Sequence, residues 1–360
     1  AHLEPASVKS WVLDDWKRVL PRDIRKNEYE NLQAHLDALL EYLPKETPLQ
    51  PNDELVASVR TLLSTLPPAR RFYFRLKEEG MLNKELSPYR MVDAIGSEAA
   101  YLFQFKNGQP ITSEIDGFFT KAGYQHYFIV DRDEMIERYL TDEWVMGDEY
   151  GLESVGLNGE LLQTQVESMY LDDYLSTWKS YLESLDFAPM TNPRETLAIL
   201  KELSRPNSPI IPLLKSISTN TSSDAFSLLG ALESVAGDTE TPALDEKIEE
   251  QVQVRSNPVI EYFAELNKLT EGDDEHAPPI EETIKMLDEL YVYMSAIDGA
   301  ANTGKVAFEN ASDPLGSAAV LREMDVEAAR QPKPLSTLLD KISDRAKLQT
   351  AQDAKGYMQR

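Results

Sequence analysis

The chain has 360 residues, of which 42% are hydrophobic and 27% are charged, and its formal net charge is −26. This balance is typical of a soluble globular protein and excludes disorder along the whole chain, while the length favours two or three helical subdomains over one core. Strong negative charge argues against binding to nucleic acid or to an anionic membrane surface, so a solvated acidic surface is the simplest interpretation.

The composition also limits the chemistry and the location of the chain. It contains no cysteine, which excludes disulfides, thiolate catalysis and cysteine-ligated metals within it. An oxidising compartment fits this lack, although cytosolic proteins can also lack cysteine. No apolar run approaches the roughly 18 residues that cross a bilayer, and no signal-peptide pattern is visible. The first residues, AHLEPASVKSW, are those expected of a start inside a larger protein.

Two leucine stripes predict helices near the start of the chain. The first runs over Leu32–Leu43 and is closed by Pro44. The second runs over Leu55–Leu66, begins near Asn52 and is stopped by Pro67 and the proline after it.

The next part of the chain is rich in aromatic residues and glycine. A turn signal at Lys106–Gln109 lies between apolar stretches and predicts a small β element around residues 100–130. A helical pattern then follows over Asp131–Trp144 and ends at Gly147.

Helices are again predicted from about Leu161 onward. Asn192, Pro193 and Glu195 form a helix-start pattern, in which the asparagine accepts from a free amide and the glutamate reaches back. Ser208 and Pro209 repeat the device. Later apolar stripes run over Ile280–Met294 and Leu335–Ala346, with loops predicted at Gly237–Pro242 and Thr270–Pro279.

These patterns together predict a mainly α fold, a multi-subdomain helical bundle with a small β element. We expect an N-terminal helical subdomain over residues 1–95, a mixed aromatic-rich subdomain over 96–150 and a C-terminal helical domain over 151–360.

One segment resembles a phosphate-binding loop. Gly299–Lys305 matches the G-x-x-x-x-G-K frame, but Val306 stands where such a loop needs serine or threonine to hold magnesium. The segment also follows a helical stripe rather than a buried strand. A helix that ends at a glycine turn is therefore favoured, and a nucleotide-binding enzyme is the alternative.

We find no catalytic, cofactor-binding or metal-binding constellation in the sequence. The histidines are isolated from one another: His2, His35, His126 and His276. Only His126, in an aromatic stretch, merits a test, and a structural role is favoured even there.

The carboxylates are best explained as surface residues. Asp131, Asp133 and Asp142 lie near EF-hand spacing, but Ile136 occupies the position that needs glycine. Asp172 and Asp173 are adjacent on a helix and point about 100° apart, which is poor geometry for a shared proton. Asp273–Glu275 is predicted to be a solvated loop.

Large aromatic residues recur at helical spacing in the segment after Leu161. They are Tyr170, Tyr174, Trp178 and Tyr181. We predict that they form core and subdomain contacts rather than a cofactor site, and that Trp178 is buried between helices. Any exposed member would be suited to a partner surface.

Three stretches carry a family resemblance: Gly117–Tyr124 (GFFTKAGY), Glu143–Gly147 (EWVMG) and Tyr170–Ser222. In the last, the matching positions are Tyr170, Asp173, Tyr174, Trp178, Leu203, Ser204, Ser208 and Pro209. Together they resemble the periplasmic region of the TssM (IcmF) family of bacterial type VI secretion systems, with Met146 in place of the usual leucine. Residues 55–73 are also similar to that family.

The resemblance implies a non-enzymatic periplasmic scaffold that links inner- and outer-membrane components of the secretion system. Its implied partners are TssL, the outer-membrane lipoprotein TssJ and other TssM copies. TssJ docks on a terminal β-rich domain in that family, which would follow a segment like Pro334–Arg360. We expect no cofactor, no metal, no membrane contact and a chain that is monomeric alone, and a helical adaptor of another envelope system is a further alternative.

Overall fold

The structure is a computed structural model that describes residues 9, 12–13, 16, 26–42, 52–108, 110–132, 135–136, 158–227, 257–272, 277–312 and 319–359. The described residues are mainly helical, with two small antiparallel sheets, which confirms the predicted fold class. They form two compact units, one of residues 1–76 and 131–169 and the other of residues 77–130 and 170–360. The three-part division expected from the sequence stays a prediction.

The helices follow the leucine and proline patterns closely. In chain order they are α1 (Lys26–Tyr42), α2 (Asp53–Ser64), α3 (Pro68–Leu82), α4 (Met91–Ile95), α5 (Gly159–Glu183), α6 (Pro193–Leu203), α7 (Ile210–Thr221), α8 (Pro258–Lys268), α9 (Ile280–Asp298), α10 (Thr303–Ser312), α11 (Ala319–Arg330) and α12 (Leu335–Met358). Among the described residues, no helix is both long enough and apolar enough to cross a membrane.

The first unit buries parts of α1, α3 and α5. Leu36 and Leu40 are buried on α1, but Leu39, which belongs to the same predicted stripe, is 62% exposed. Buried Arg132 forms an ion pair with Glu167, with 3.5 Å between Nη1 and Oε2. The predicted helix over Asp131–Trp144 is described only at residues 131–132 and 135–136, all helical, and its end at Gly147 lies outside the described residues.

The small β element forms, but its strands pair with distant segments. Strand β1 (Tyr89–Arg90) pairs with β3 (Glu114–Ile115), and β2 (Phe103–Phe105) pairs with β4 (Leu185–Phe187). The turn after β2 forms as predicted, since the Gly108 amide donates to the Phe105 carbonyl at 2.7 Å and Gly108 has φ +79°.

Of the two predicted helix starts, the one at Asn192 is built from a side-chain cap, whereas α7 begins at Ile210 with Pro209 at the N-cap position. Asn192 Oδ1 accepts from the Glu195 amide at 3.0 Å, while the Glu195 carboxylate accepts from the Thr191 amide at 2.6 Å. The glutamate therefore reaches one residue further back than expected. At α7, buried Ser208 Oγ accepts from the Ile210 amide at 3.4 Å.

The last four helices pack together with α6. Helix α9 contacts α6, α10 and α11, and α12 contacts α10, α11 and α6. Leu335, Leu338 and Leu339 of the predicted α12 stripe are buried, as are Ile342 and Ala346. A buried Glu327 carboxylate in α11 accepts from Thr283 Oγ1 of α9 at 2.6 Å.

Candidate functional site

One face of α5 carries four buried aromatic side chains that each donate a hydrogen bond to a backbone carbonyl. The donors are Tyr170 to Phe118 (2.7 Å), Tyr174 to Asn220 (2.7 Å), Trp178 to Phe119 (2.8 Å) and Tyr181 to Ser113 (3.0 Å). Successive steps of four, four and three residues keep the four side chains on one helical face. We call this set the aromatic ladder, and it explains the Y-x-x-x-Y-x-x-x-W spacing.

The segment opposite the ladder is the GFFTKAGY stretch. Gly117–Phe119 form a short 3₁₀ turn, in which the Asp116 carboxylate accepts from the Phe118 amide at 2.9 Å. Phe118 is fully buried and meets the Tyr170 ring edge-on, with 5.0 Å between ring centroids. The turn thus presents its carbonyls to α5 while its rings enter the core.

Two glycines of this stretch are required by close backbone approach. A Cβ on Gly123 would fall on the carbonyl oxygens of Gly117 and Phe118, and one on Gly117 would fall on the Leu86 carbonyl. Buried Thr120 ties the turn together, because its Oγ1 donates to the Gly117 carbonyl at 2.7 Å and accepts from the Gly123 amide at 3.2 Å. The motif therefore has a packing explanation at each of these positions.

Burial changes the acidity of the ladder phenols. It raises the pKa of Tyr181 to about 12 and the pKa of Tyr174 well above its ordinary value. Burial also raises the pKa of Tyr89, whose hydroxyl lies 2.9 Å from Ser216 Oγ. These phenols stay neutral at physiological pH and act as hydrogen-bonding core residues.

A shallow cleft of about 310 Å³ lies beside the GFFTKAGY stretch. Its lining residues are Ser87, Tyr89, Thr120, Lys121, Ala122, Gln125, His126 and Asn220. Its polar groups are mostly engaged with one another and with the adjacent backbone. Lys121 pairs with Asp224 at 2.5 Å, its amide donates to Asn220 Oδ1 at 2.9 Å, and buried Gln125 donates to the Asp224 carbonyl at 2.9 Å.

Two of the four histidines are described by the structure. His126 lies exposed at the cleft, and His35 is exposed on α1. Within the described ranges, no group of three histidine, aspartate or glutamate side chains could hold a metal ion. His2 and His276 lie outside the described residues.

The Gly299–Lys305 segment connects two helices. Gly299 follows the last residue of α9, and α10 begins at Thr303, so a helix precedes the segment rather than the strand that a phosphate-binding loop needs. Lys305 Nζ lies 3.6 Å from Glu309 Oε1 on the same helix. A Cβ on Gly304 would lie 2.9 Å from the Asp353 carbonyl of α12. Helix packing therefore accounts for this glycine.

Among the candidate carboxylates that the structure describes, Asp172 and Asp173 do not form a catalytic pair. Asp173 pairs with Lys77 at 2.7 Å, whereas its neighbour Asp172 is exposed. Asp131 is described and partly exposed, while Asp133, Asp142 and Asp273–Glu275 lie outside the described residues. The Glu143–Gly147 motif also lies outside them.

Sequence reasoning missed the partners that the ladder and the turn use. Ser113, Phe118 and Asn220 contribute backbone carbonyls, which any residue type provides, so composition carries no signal for them. Asp224 was missed as the Lys121 partner because 103 residues separate the two in sequence.

Comparison with known proteins matches this chain to one family. A family model described as "IcmF-related: Intracellular multiplication and human macrophage-killing" matches residues 1–222. Over 357 residues the chain is 32% identical to "Type VI secretion system component TssM1" of Pseudomonas aeruginosa, and the alignment covers 95% of this chain and 31% of that protein.

A solved structure shares the fold. The chain matches "Type VI secretion system membrane core complex" with a TM-score of 0.52 and 12% identity, over 81% of this chain and 51% of that chain. Because the family model spans more than half of the residues, the chain belongs to the IcmF-related family.

Proposed function

We propose that this chain is a structural part of the type VI secretion membrane complex. The observation that carries the proposal is the use of the family motifs: the aromatic rings of GFFTKAGY and of the aromatic ladder build a buried, hydrogen-bonded core. The similarity to TssM1 over nearly the whole chain supports the assignment. The proposed role is structural: buried hydrogen bonds keep this helical region rigid, so that it can serve as a stable part of the complex between its partners.

The finer proposal concerns location and partners. We place the chain in the periplasm, as part of a protein that links inner- and outer-membrane components. Its proposed partners are TssL and other copies of the same protein, while TssJ would bind the family's terminal β-rich domain rather than this region. An absence of cysteine fits this oxidising compartment. We propose no enzymatic activity, no cofactor and no nucleic-acid partner for it, and the acidic charge disfavours the last of these.

The test uses the full-length protein in its own host. An affinity tag on that protein should recover TssL, TssJ and untagged copies from solubilised envelopes, and protease should reach this region in spheroplasts but not in intact cells. Protection of the region in spheroplasts would contradict the periplasmic location. Recovery of none of these components would contradict the scaffold role.

Two substitutions test whether secretion depends on the folded core. Trp178→Ala should abolish secretion of the system's substrates by unfolding the region, while Val292→Ala, at a 59% exposed position, should leave secretion unchanged. Full secretion by a Trp178→Ala protein that is present at normal level would show that the folded core is dispensable.

A further inference from the structure

The helix that follows the Gly117–Phe119 turn widens into a π-helix over Gly123–Phe128. It starts with ordinary spacing, because the Tyr124 amide donates to the Thr120 carbonyl, four residues earlier. The Ile129 amide then donates to the Tyr124 carbonyl, which is five residues earlier. The turn therefore holds one residue more than an α-helical turn. π-Helical turns are rare, occur mostly as single turns inside α-helices and are frequently found at functional sites.

Packing explains five of the six residues in this π-turn, because all of them except His126 are buried. Tyr124 stacks on Phe128 with 5.8 Å between ring centroids, and Phe128 stacks on Tyr170 at 3.9 Å. Gln125 Nε2 donates to a backbone carbonyl at 2.9 Å. An α-helical turn would keep these contacts within reach, since neighbours three and four residues apart share a helical face.

His126 is the residue of the π-turn that packing does not explain. Its side chain is exposed at the cleft and has no hydrogen bond or ion pair with any residue that the structure describes. Because its five neighbours in the turn are buried, the extra residue of the wider turn is assigned to position 126.

The groups around His126 in the cleft are suited to a carboxylate. None of the eight lining residues is acidic, and Lys121 and Ser87 lie among them. The Lys121 ammonium has three N–H donors and already binds the Asp224 carboxylate. That carboxylate is 75% exposed, so the ion pair is open to solvent and weak. The remaining Lys121 N–H groups, the Ser87 hydroxyl and the His126 ring can all donate to an acceptor in the cleft.

The shape of the cleft limits the kind of ligand. It has a volume of about 310 Å³ and is shallow, so it cannot enclose a small molecule as ligand pockets do. It can receive one acidic side chain that protrudes from a protein surface.

We propose that the π-turn displays His126 as a contact residue for an acidic side chain of a partner protein, which Lys121 helps to bind. The biological use of this contact rests on the proposed scaffold role. The inference deepens that role by assigning one partner-facing position and the chemistry of the group that it meets.

The first experiment tests whether His126 is the extra residue of the turn. Deletion of His126 from the purified chain should leave the melting temperature at the wild-type value or raise it, because an exposed residue is lost and α-helical spacing is restored. Deletion of its buried neighbour Gln125 is the matched control and should lower the melting temperature by about 3 °C or more. Equal losses from the two deletions would overturn the assignment.

The second experiment tests the contact by measuring secretion with the full-length protein in its host. His126→Ala should lower secretion about tenfold at an unchanged protein level, the effect of losing one well-placed contact. His126→Glu should lower it further by charge repulsion, whereas His126→Arg keeps a donor and should retain most of it. Full secretion with His126→Ala, or equal secretion with the glutamate and arginine variants, would overturn the proposal.

Two control substitutions accompany these variants. Val292→Glu introduces the same charge at a 59% exposed position, and His35→Ala removes the exposed histidine of α1. Both should leave secretion unchanged. Losses like those of the His126 variants would show that the effect is not specific to the cleft and would contradict the proposal.

These outcomes are distinguishable from a failure of the scaffold role. Normal secretion with every His126 variant, together with recovery of TssL from the envelope, would contradict the contact and leave the scaffold role standing. Failure to recover the other components would instead contradict the scaffold role, without changing the melting temperatures of the deletion variants.

Discussion

At the residue scale, the O–H and N–H groups of the buried aromatic residues limit where their rings can lie. A buried tyrosine or tryptophan needs a partner for its O–H or N–H, and a backbone carbonyl in a tight turn needs a donor. Trp178 and the Phe119 carbonyl satisfy each other at 2.8 Å with the tryptophan fully buried. The prediction that Trp178 is buried is confirmed.

Replacing Trp178 should therefore be costly. Trp178→Ala removes a buried ring and should lower the free energy of unfolding by about 3–5 kcal/mol. Trp178→Phe keeps much of the packing but leaves the Phe119 carbonyl without its donor, at a cost of about 1–3 kcal/mol. Denaturant unfolding measures both, and an alanine variant as stable as wild type would contradict the role assigned to this ring.

Two glycine substitutions should change stability in opposite directions. Gly123→Ala puts a methyl group against two carbonyl oxygens and should destabilise by about 1–3 kcal/mol or more. Gly356→Ala, in α12 with open space around the new methyl, should stabilise by about 0.5–1 kcal/mol. Thermal melts of the pair provide the comparison, and equal shifts would refute the close-approach argument.

At the element scale, α5 acts as a row of donors that fixes the turn at Gly117–Phe119 and the ends of other segments. Its four aromatic side chains reach carbonyls at residues 113, 118, 119 and 220. One helix thus orders two separate stretches of the second unit. The ladder also makes the fold sensitive to high pH.

Stability should fall in strongly alkaline solution. Burial raises the pKa of Tyr181 from 10.0 to about 12, so its contribution is fully present below pH 10 and is lost as pH rises through about 12. Tyr174 and Tyr89 shift in the same direction. Urea unfolding at a series of pH values should show this loss, and Tyr181→Phe should have a shallower pH dependence than wild type; an identical slope would contradict the assignment.

The turn between α9 and α10 gives a test of the nucleotide alternative. Because Lys305 stands on a helix that follows another helix, Mg-ATP should leave the melting temperature of wild type and of Lys305→Ala unchanged. A bound ligand at 100 times its Kd would add about 2.7 kcal/mol. If Mg-ATP stabilised the wild type and Lys305→Ala abolished that stabilisation, the nucleotide-binding alternative would be supported.

At the scale of the whole molecule, charge repulsion between copies opposes their association through exposed apolar residues. The net charge of −26 keeps copies apart, with a screening length of about 8 Å at physiological salt. Residues 1–90 hold 14 basic and 14 acidic residues, and they include the exposed apolar stripe of α2, in which Leu62 is 69% exposed. The balance favours separate copies in dilute solution and contact at high local concentration.

The purified chain should be monomeric at low micromolar concentration. Static light scattering at low salt should give a mass near 40.7 kDa. Added salt should promote association, because it screens the repulsion and leaves contacts between apolar residues intact. A stable oligomer at nanomolar concentration and low salt would show that this region assembles without any tether.

Much of the local structure was determined by the sequence itself. Helix starts at Asn52 and Asn192 form as predicted, because a cap and its helix lie within a few residues and need no distant partner. Helix α7 begins one residue later than predicted, at Ile210, with Pro209 just before it. The α12 stripe and the Gly108 turn are local in the same sense.

Only the tertiary structure decided which segments meet. The strand β2 pairs along its length with residues 185–187 and meets the segment across the Gly108 turn through the isolated bridge between Gln104 and Pro110. The ladder donors find backbone carbonyls, which any residue type provides. Exposure of the α2 stripe was likewise unpredictable, since an apolar face has the same spacing whether it is covered or open. Periodicity determines how a helix is patterned, but long-range packing determines which part of that pattern remains for a partner.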